Sequence, residues 1–427
     1  FDEAYYGVYS MFLSTGYFDH PPLVGISAGT GLWLFNSFST FALRFGAMVL
    51  YTISSLLLFA TVKLLFDRKS AVFSLALFHV IPFFLVGIGA FVIPDNFLTL
   101  FWLLAIYAMA KYIKTNQNYW LLIWGTSIGF GFLSKYHILL LIIGFGWSTL
   151  FNSKFRNLWK NPWLYGAILL GILIMLPNII WNYRHDWISY SYQFGKSSGN
   201  SSLSFTKFYQ GILSQIGYLL PWNFIILLLG VRSIKDHKWL LPIALFPITI
   251  FTLFGFKQTI LPHWPMPGYL TLLIPAGYYL SRQKWSTGYV IFSAIFTIIL
   301  LTIVVLQARF GFINLNPKHD FTLDGFGWKR LVKRIEEEDY FHNVDFLAGH
   351  KWFTAGEILF ACEGNYSTIA LNPKDPRGFA FWQDVTKFKG QSCLFISTNR
   401  YFKDPAKKYP HYFETITPRS EERRVGK

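Results

Sequence analysis

Two carboxylates stand together at Asp2-Glu3, an acid precedes an imidazole at Asp19-His20, and another follows a proline at Pro94-Asp95-Asn96. A lysine interrupts two apolar runs at Ser134-Lys135-Tyr136, and Arg184-His185-Asp186 and His263-Trp264-Pro265 complete the set. These residue types support group transfer. An ionised carboxylate takes a proton from an attacking hydroxyl. A lysine or arginine stabilises a departing phosphate. A carboxylate beside an imidazole binds a metal or shares a proton. Each position also has a plainer reading. Asp2 and Glu3 favour a helix N-terminus, and Lys135 offsets a helix C-terminus. Asp95 suits an N-cap beside a helix-starting proline. Arg184, His185 and His263 suit snorkelling or interfacial anchoring. Asp19-His20 is followed by Pro21-Pro22, which removes two backbone donors and holds the preceding pair extended. Its plainer reading is a charged turn between two interfacial helices. Tyr6, Tyr9, Ser10, Leu13 and Tyr17 recur at helical spacing, as in a helix lying in a membrane interface.

The elements that position these groups follow from composition. The 427 residues are 53% hydrophobic, 20% aromatic and 14% charged, with a mean hydropathy of +0.36. Soluble domains carry about 25% charged residues. A disordered chain, a disulfide-stapled miniprotein and a soluble nucleic-acid binder are excluded. The charges are unevenly placed. Residues 1–308 hold seven of the 22 carboxylates, and residues 309–427 hold the rest. We therefore expect a membrane domain over 1–308 and a soluble α/β domain over 309–418. The last stretch, 419–427, changes character abruptly and reads as a non-native tail.

Apolar runs of the length a helix needs to cross about 30 Å of hydrocarbon fall near 41–66, 70–92, 96–112, 119–134, 137–151, 163–181, 208–231, 239–255, 265–281 and 286–308. One alternating set of loops carries twelve Lys/Arg, from Arg68 to Lys284; the other carries five: Lys135, Arg184, Lys196, Lys207 and Lys257. The positive-inside rule makes the first set cytoplasmic. The second set, which holds the candidate residues, then faces outward with the C-terminal domain. The net charge of +16 is mainly this topology signal, and nucleic acid is set aside as a partner. Residue 1 falls in an outward loop, so a first helix is expected to precede it.

The tail alternates helix-like and strand-like stretches: helices over Trp328–Glu338 and Thr354–Cys362, strands over Val344–Ala348, Ser367–Leu371 and Ser392–Ser397. Its two cysteines, Cys362 and Cys393, allow a disulfide or two buried thiols.

Taken together, Phe1-Asp2-Glu3-Ala4-Tyr5-Tyr6, Gly16-Tyr17-Phe18-Asp19-His20-Pro21-Pro22-Leu23, Ile93-Pro94-Asp95-Asn96 and Leu133-Ser134-Lys135-Tyr136 resemble a known family. It is the bacterial branch of the protein O-mannosyltransferase-like membrane proteins, glycosyltransferase family 39, related to the lipid A aminoarabinose transferase. The resemblance implies the C-type glycosyltransferase fold in the bacterial inner membrane. It implies transfer of a sugar from a polyprenyl-phosphate carrier to a protein or glycolipid on the outer face. Asp2 or Glu3 then matches the catalytic base, Asp95 a second functional acid, and Lys135 a contact to the carrier phosphate, with Arg184 beside it. His20 and His185 join as substrate-binding candidates. Asp19 matches a position that takes part in metal binding in the relative, with His20, which replaces a lysine there, and His263 as partner ligands. A divalent metal ion is the one cofactor this implies. The expected site gathers Asp2, Glu3, Asp19 and Asp95 in one cavity with Lys135 at its lipid-side entrance. The alternative function is a transporter or flippase for a lipid-linked sugar. Such proteins often show internal repeats and midplane charges; this sequence has no clear repeat, and its charges cluster at one face.

Overall fold

The computed structural model describes residues 2–151, 153–195, 203–316, 325, 327–338, 344–398, 400–402 and 404–417. The tail expected over 419–427 lies outside them. The chain forms two compact units: Phe1–Phe12 with Asn36–Ser39 and Ile298–Lys427, and Leu13–Phe35 with Thr40–Thr297.

The larger unit is helical. It contains α2 (Leu23–Phe35), α3 (Thr40–Leu65), α4 (Arg68–Val80), α5 (Asp95–Thr115), α6 (Tyr119–Ser134), α7 (Ile138–Phe151), α8 (Ser153–Leu158) and α9 (Pro162–Arg184). Then follow α10 (Ile188–Gly195), α11 (Phe205–Leu219), α12 (Pro221–Gly230), α13 (Leu240–Phe254), α14 (Met266–Ser281) and the start of α15 (Ser286–Phe310). Every expected apolar run contains helix, and two of the runs are interrupted. Four of the described helices, α3, α5, α9 and α15, are individually long and apolar enough to cross a membrane. A fifth span arises if the bent pair α11 and α12 counts as one.

The shortfall from ten has local causes. The run over 70–92 stops α4 at Val80, and Pro82 precedes a π-helical turn over Phe83–Ile88. The run over 208–231 breaks by 93° between α11 and α12. There Leu220 adopts φ +67°, a left-handed conformation costly for a branched residue, ahead of Pro221. Several other helices, α6, α7 and α13 among them, are shorter than a full span.

The helices pack closely through small residues. A Cβ at Gly125 of α6 would lie 2.7 Å from the carbonyl carbon of Ala167 of α9. A Cβ at Gly129, one turn on, would lie 2.7 Å from Ile174. This is the small-xxx-small spacing that lets membrane helices approach backbone to backbone. The contact fixes α9 against α6, and α6 ends at Ser134, immediately before the candidate lysine. Trp102, Trp239, Phe78, Phe84 and Phe155 are fully buried in the unit's core.

The smaller unit carries a parallel three-stranded sheet in the order β2-β1-β3, from β1 (Phe346–Gly349), β2 (Thr368–Ala370) and β3 (Cys393–Ile396). Leu347 stands opposite Thr368 on one side and Leu394 on the other. Helices α16 (Trp328–Glu337) and α17 (Trp352–Ala361) contribute Trp328, Val332, Ile335 and Ile358 to a core with Leu347 and Ile396. Short helices α18 (Phe379–Trp382) and α19 (Pro405–Lys408) complete it. The alternation expected from the sequence is present, with every boundary within two residues of its expected place. Both cysteines are free, so the thiol reading holds over the disulfide. Burial pushes Cys362 up to about 12 and Cys393 up to about 11, which leaves little reactive thiolate at neutral pH.

Helix α1 (Asp2–Met11) belongs to this smaller unit. It ends at Met11 and does not run on to Tyr17. Its tyrosines do not form an interfacial stripe. Tyr5 is fully buried, 4.6 Å from the Trp352 ring and 5.5 Å from that of Trp382. The backbone N–H of Gly378 donates to Tyr5 Oη at 2.9 Å. Aromatic packing therefore decides where this helix goes.

Candidate functional site

The larger unit brings Asp95 and Lys135 together. Pro94 stands at the N-cap of α5 without a side-chain cap, and Asp95 is the first helical residue. The N-cap reading of Asp95 therefore does not hold. Its carboxylate accepts two hydrogen bonds from Lys135 Nζ, at 2.9 Å to Oδ1 and 2.7 Å to Oδ2. Lys135 is the C-cap of α6 in extended backbone, which turns its side chain away from the helix. Both residues are buried, at 3% and 5% exposure. A buried ion pair this dry is weak evidence for stability, because desolvation offsets attraction; a functional reason for it is the more economical account.

Local polar contacts fix the pair. Ser134 Oγ donates to the Pro94 carbonyl at 2.7 Å and ties the end of α6 to the start of α5. Asn96 Nδ2 donates to the carbonyls of Ile88 and Phe91, and Asn96 Oδ1 accepts from the Ile93 N–H. One side chain thus organises the loop that delivers Asp95. Asp95 also lines a pocket with Phe83, Phe84, Ile88, Leu98, Thr99, Trp102, Met266, Pro267 and Leu270. The π-helical turn forms one wall, a conformation frequent at functional sites.

His263 and His20 join electrostatically. His263, on the loop before α14, feels the charges of Lys135, Asp95 and His20. Desolvation holds its imidazole down at about 4, with Lys135 adding to the shift and Asp95 opposing it; it is therefore neutral at pH 7. Asp19 is buried at 1% exposure, and its backbone carbonyl accepts from Gln193 Nε2. The Asp19-His20 segment is held from below. Asn178 of α9 donates to the Thr15 carbonyl at 2.9 Å, and a Cβ at Gly16 would lie 2.6 Å from the Trp181 ring.

Arg184 is exposed at the end of α9, and among the described residues no contact joins it to Lys135. His185 stacks on Trp181 at 4.0 Å, with its Nδ1 2.7 Å from the Trp181 carbonyl oxygen, as an anchored helix end would. Asp2 and Glu3 occupy the first turn of α1 in the smaller unit. The expected metal set is not assembled. Among the described residues no group of three His, Cys, Asp or Glu side chains is placed to hold a metal ion, Asp19, His20 and His263 included.

Two residues escaped the sequence reading. His137 follows Lys135 by two positions and lies within electrostatic reach of Lys135, His263 and His20. Its signal was adjacency, masked because it opens an apolar run. Asn178 is buried inside apolar α9, where its Oδ1 accepts from Tyr136 Oη and Tyr190 Oη, both at 3.3 Å. A buried amide in a membrane helix needs a polar reason, and here it is the seat of both the Asp19-His20 and the Tyr136 segments.

Residues 19–181 match the model of the dolichyl-phosphate-mannose-protein mannosyltransferase family. The chain is 28% identical over 302 residues to an undecaprenyl phosphate-alpha-4-amino-4-deoxy-L-arabinose arabinosyl transferase of Edwardsiella ictaluri, covering 65% of this chain and 52% of that protein. It is 22% identical over 294 residues to the lipid A galacturonosyltransferase RgtD of Rhizobium johnstonii, covering 67% and 61%. The chain spans about half the length of the curated relatives it matches. Two crystal structures of ArnT from Cupriavidus metallidurans share the fold. The apo form aligns with a TM-score of 0.63 at 15% identity, over 90% of this chain and 83% of that one. The form bound to undecaprenyl phosphate aligns with a TM-score of 0.60 at 16% identity, over 87% and 81%. At such identity the likeness speaks for the fold alone. Over residues 19–181 the chain is thus similar in sequence to the dolichyl-phosphate-mannose-protein mannosyltransferase family, and in fold it is similar to ArnT.

Proposed function

We propose that this chain is a membrane glycosyltransferase that moves a sugar from a polyprenyl-phosphate carrier to an acceptor hydroxyl or phosphate on a glycolipid, at the outer face of the bacterial inner membrane. The observation that carries this reading is the buried Asp95–Lys135 pair beside an apolar pocket. An ammonium has three protons, and two are accepted by Asp95. The third is directed to the carrier phosphate. Asp95 holds the lysine aimed in a dry site, where a fixed charge counts for more than in water. The resemblance assigns acceptor deprotonation to Asp2 or Glu3. The relatives' names favour lipid A over a protein as acceptor, and aminoarabinose or galacturonic acid over mannose as the sugar.

The test is transfer from synthetic undecaprenyl-phosphate-linked sugars by purified protein in nanodiscs, with lipid A and an acceptor peptide as parallel arms. We expect product in the lipid A arm. Product in the peptide arm alone overturns the acceptor assignment.

Orientation is tested separately. Lys389 is exposed in the tail, and the two native thiols are held protonated by burial. Lys389→Cys should therefore react with a membrane-impermeant thiol reagent in intact spheroplasts, well above the background of the unsubstituted protein. Labelling only after lysis places the tail, and with it the proposed site, on the cytoplasmic side.

A further inference from the structure

His137 is an ionisable side chain in the Lys135 cluster to which the proposed reaction gives no task. Its ring stacks on Phe251 at 5.0 Å and 24°, and meets Trp264 edge-on at 6.5 Å. Its Nε2 is sealed from solvent and has no hydrogen-bond partner among the described residues. Buried polar atoms are almost always satisfied, and each exception calls for a reason. Two flat aromatic neighbours offer this nitrogen nothing, and a phenylalanine would fill the same space without the desolvation cost. The surroundings are rich in proton-bearing groups: Lys135, His263 and His20 all lie within electrostatic reach. Asp95 is the acid already satisfied by Lys135. A cluster with this composition fits an anion better than it fits itself.

We propose that His137 is a further substrate-binding residue, donating a hydrogen bond from Nε2 to a phosphate oxygen of the lipid carrier, next to the one from Lys135. The inference rests on the transferase reading above and deepens it. It adds a second phosphate contact from the same short connection between α6 and α7. Because Nε2 is covered, binding entails a local rearrangement that opens it to the carrier. The imidazole acts only by binding, so no proton changes hands in this step.

The test compares wild type with His137→Phe and His137→Gln in the full chain. Carrier affinity is read with undecaprenyl phosphate in nanodiscs, and stability by thermal unfolding. His137→Phe keeps the stacking and removes the orphaned nitrogen. Its melting temperature should equal or exceed that of wild type, while carrier affinity falls roughly ten- to a hundredfold, the range for a lost hydrogen bond to a charged group. His137→Gln restores a donor and should recover part of that loss. Stability rising with unchanged carrier affinity makes the residue purely structural and overturns the proposal. If wild type binds undecaprenyl phosphate but transfers no sugar, the transferase reading fails, while the binding comparison still decides the role of His137.

Discussion

Lys135→Met is expected to lower both stability and transfer, and the two losses should separate in a double variant. Removing the ammonium leaves the Asp95 carboxylate buried without its counter-ion. Breaking a buried pair this way costs about 3–5 kcal/mol. Transfer should fall by roughly ten- to a hundredfold from the lost contact to the leaving phosphate, worth about 1.5–3 kcal/mol. Asp95→Asn should also destabilise, because it leaves the lysine charged and unpaired. Combining Lys135→Met with Asp95→Leu replaces the pair by apolar side chains of similar size, a change that is often neutral or stabilising. The double variant should therefore melt near wild type and still transfer at least tenfold more slowly. Thermal unfolding and initial rates on the same preparations check this. A double variant with wild-type rates makes the pair a structural staple and removes the basis for the lysine's role.

The second large effect is expected at α1. If Asp2 or Glu3 takes the acceptor proton, Asp2→Asn or Glu3→Gln should cut kcat by on the order of a hundredfold or more, the scale of general-base catalysis. Carrier binding should survive in both. Neither side chain is deeply buried, so the amides should fold as wild type does. The residue whose amide leaves the rate unchanged is the helix-terminus charge that the plainer reading describes. If both amides leave the rate unchanged, the base lies elsewhere, and Asp19, buried on the loop that Asn178 supports, becomes the first position to test.

Much of the fold was legible because hydropathy runs and loop charges are one-dimensional signals. The runs became helices, and the tail's alternation became a parallel sheet with helices on it. What was illegible is where a run breaks. Averaged hydropathy over 208–231 is blind to a 93° bend at Leu220, since an apolar sequence stays apolar through a turn. The destination of α1 was equally hidden: spacing of its tyrosines describes a face, and only Trp352 and Trp382, some 350 residues later, supply what that face packs on. In the site, Asp95 and Lys135 were each legible as motif residues. Their mutual bond, across 40 positions, was not, because no local pattern encodes which cation meets which acid. His137 was overlooked for a simpler reason. It begins a run of apolar residues, and a single imidazole at a helix start reads as a boundary.

The central claim is that a bond between sugar and phosphate is broken at this site, and one measurement addresses it most directly. Purified wild type in nanodiscs is supplied with undecaprenyl-phosphate-linked sugar and lipid A, and free undecaprenyl phosphate and glycosylated acceptor are quantified together over time. The account predicts that the two appear in equal amounts, that neither appears without acceptor, and that both slow in parallel in Lys135→Met. Wild type that carries the lipid-linked sugar from one leaflet of a vesicle to the other with the sugar–phosphate bond intact would contradict it and favour a flippase.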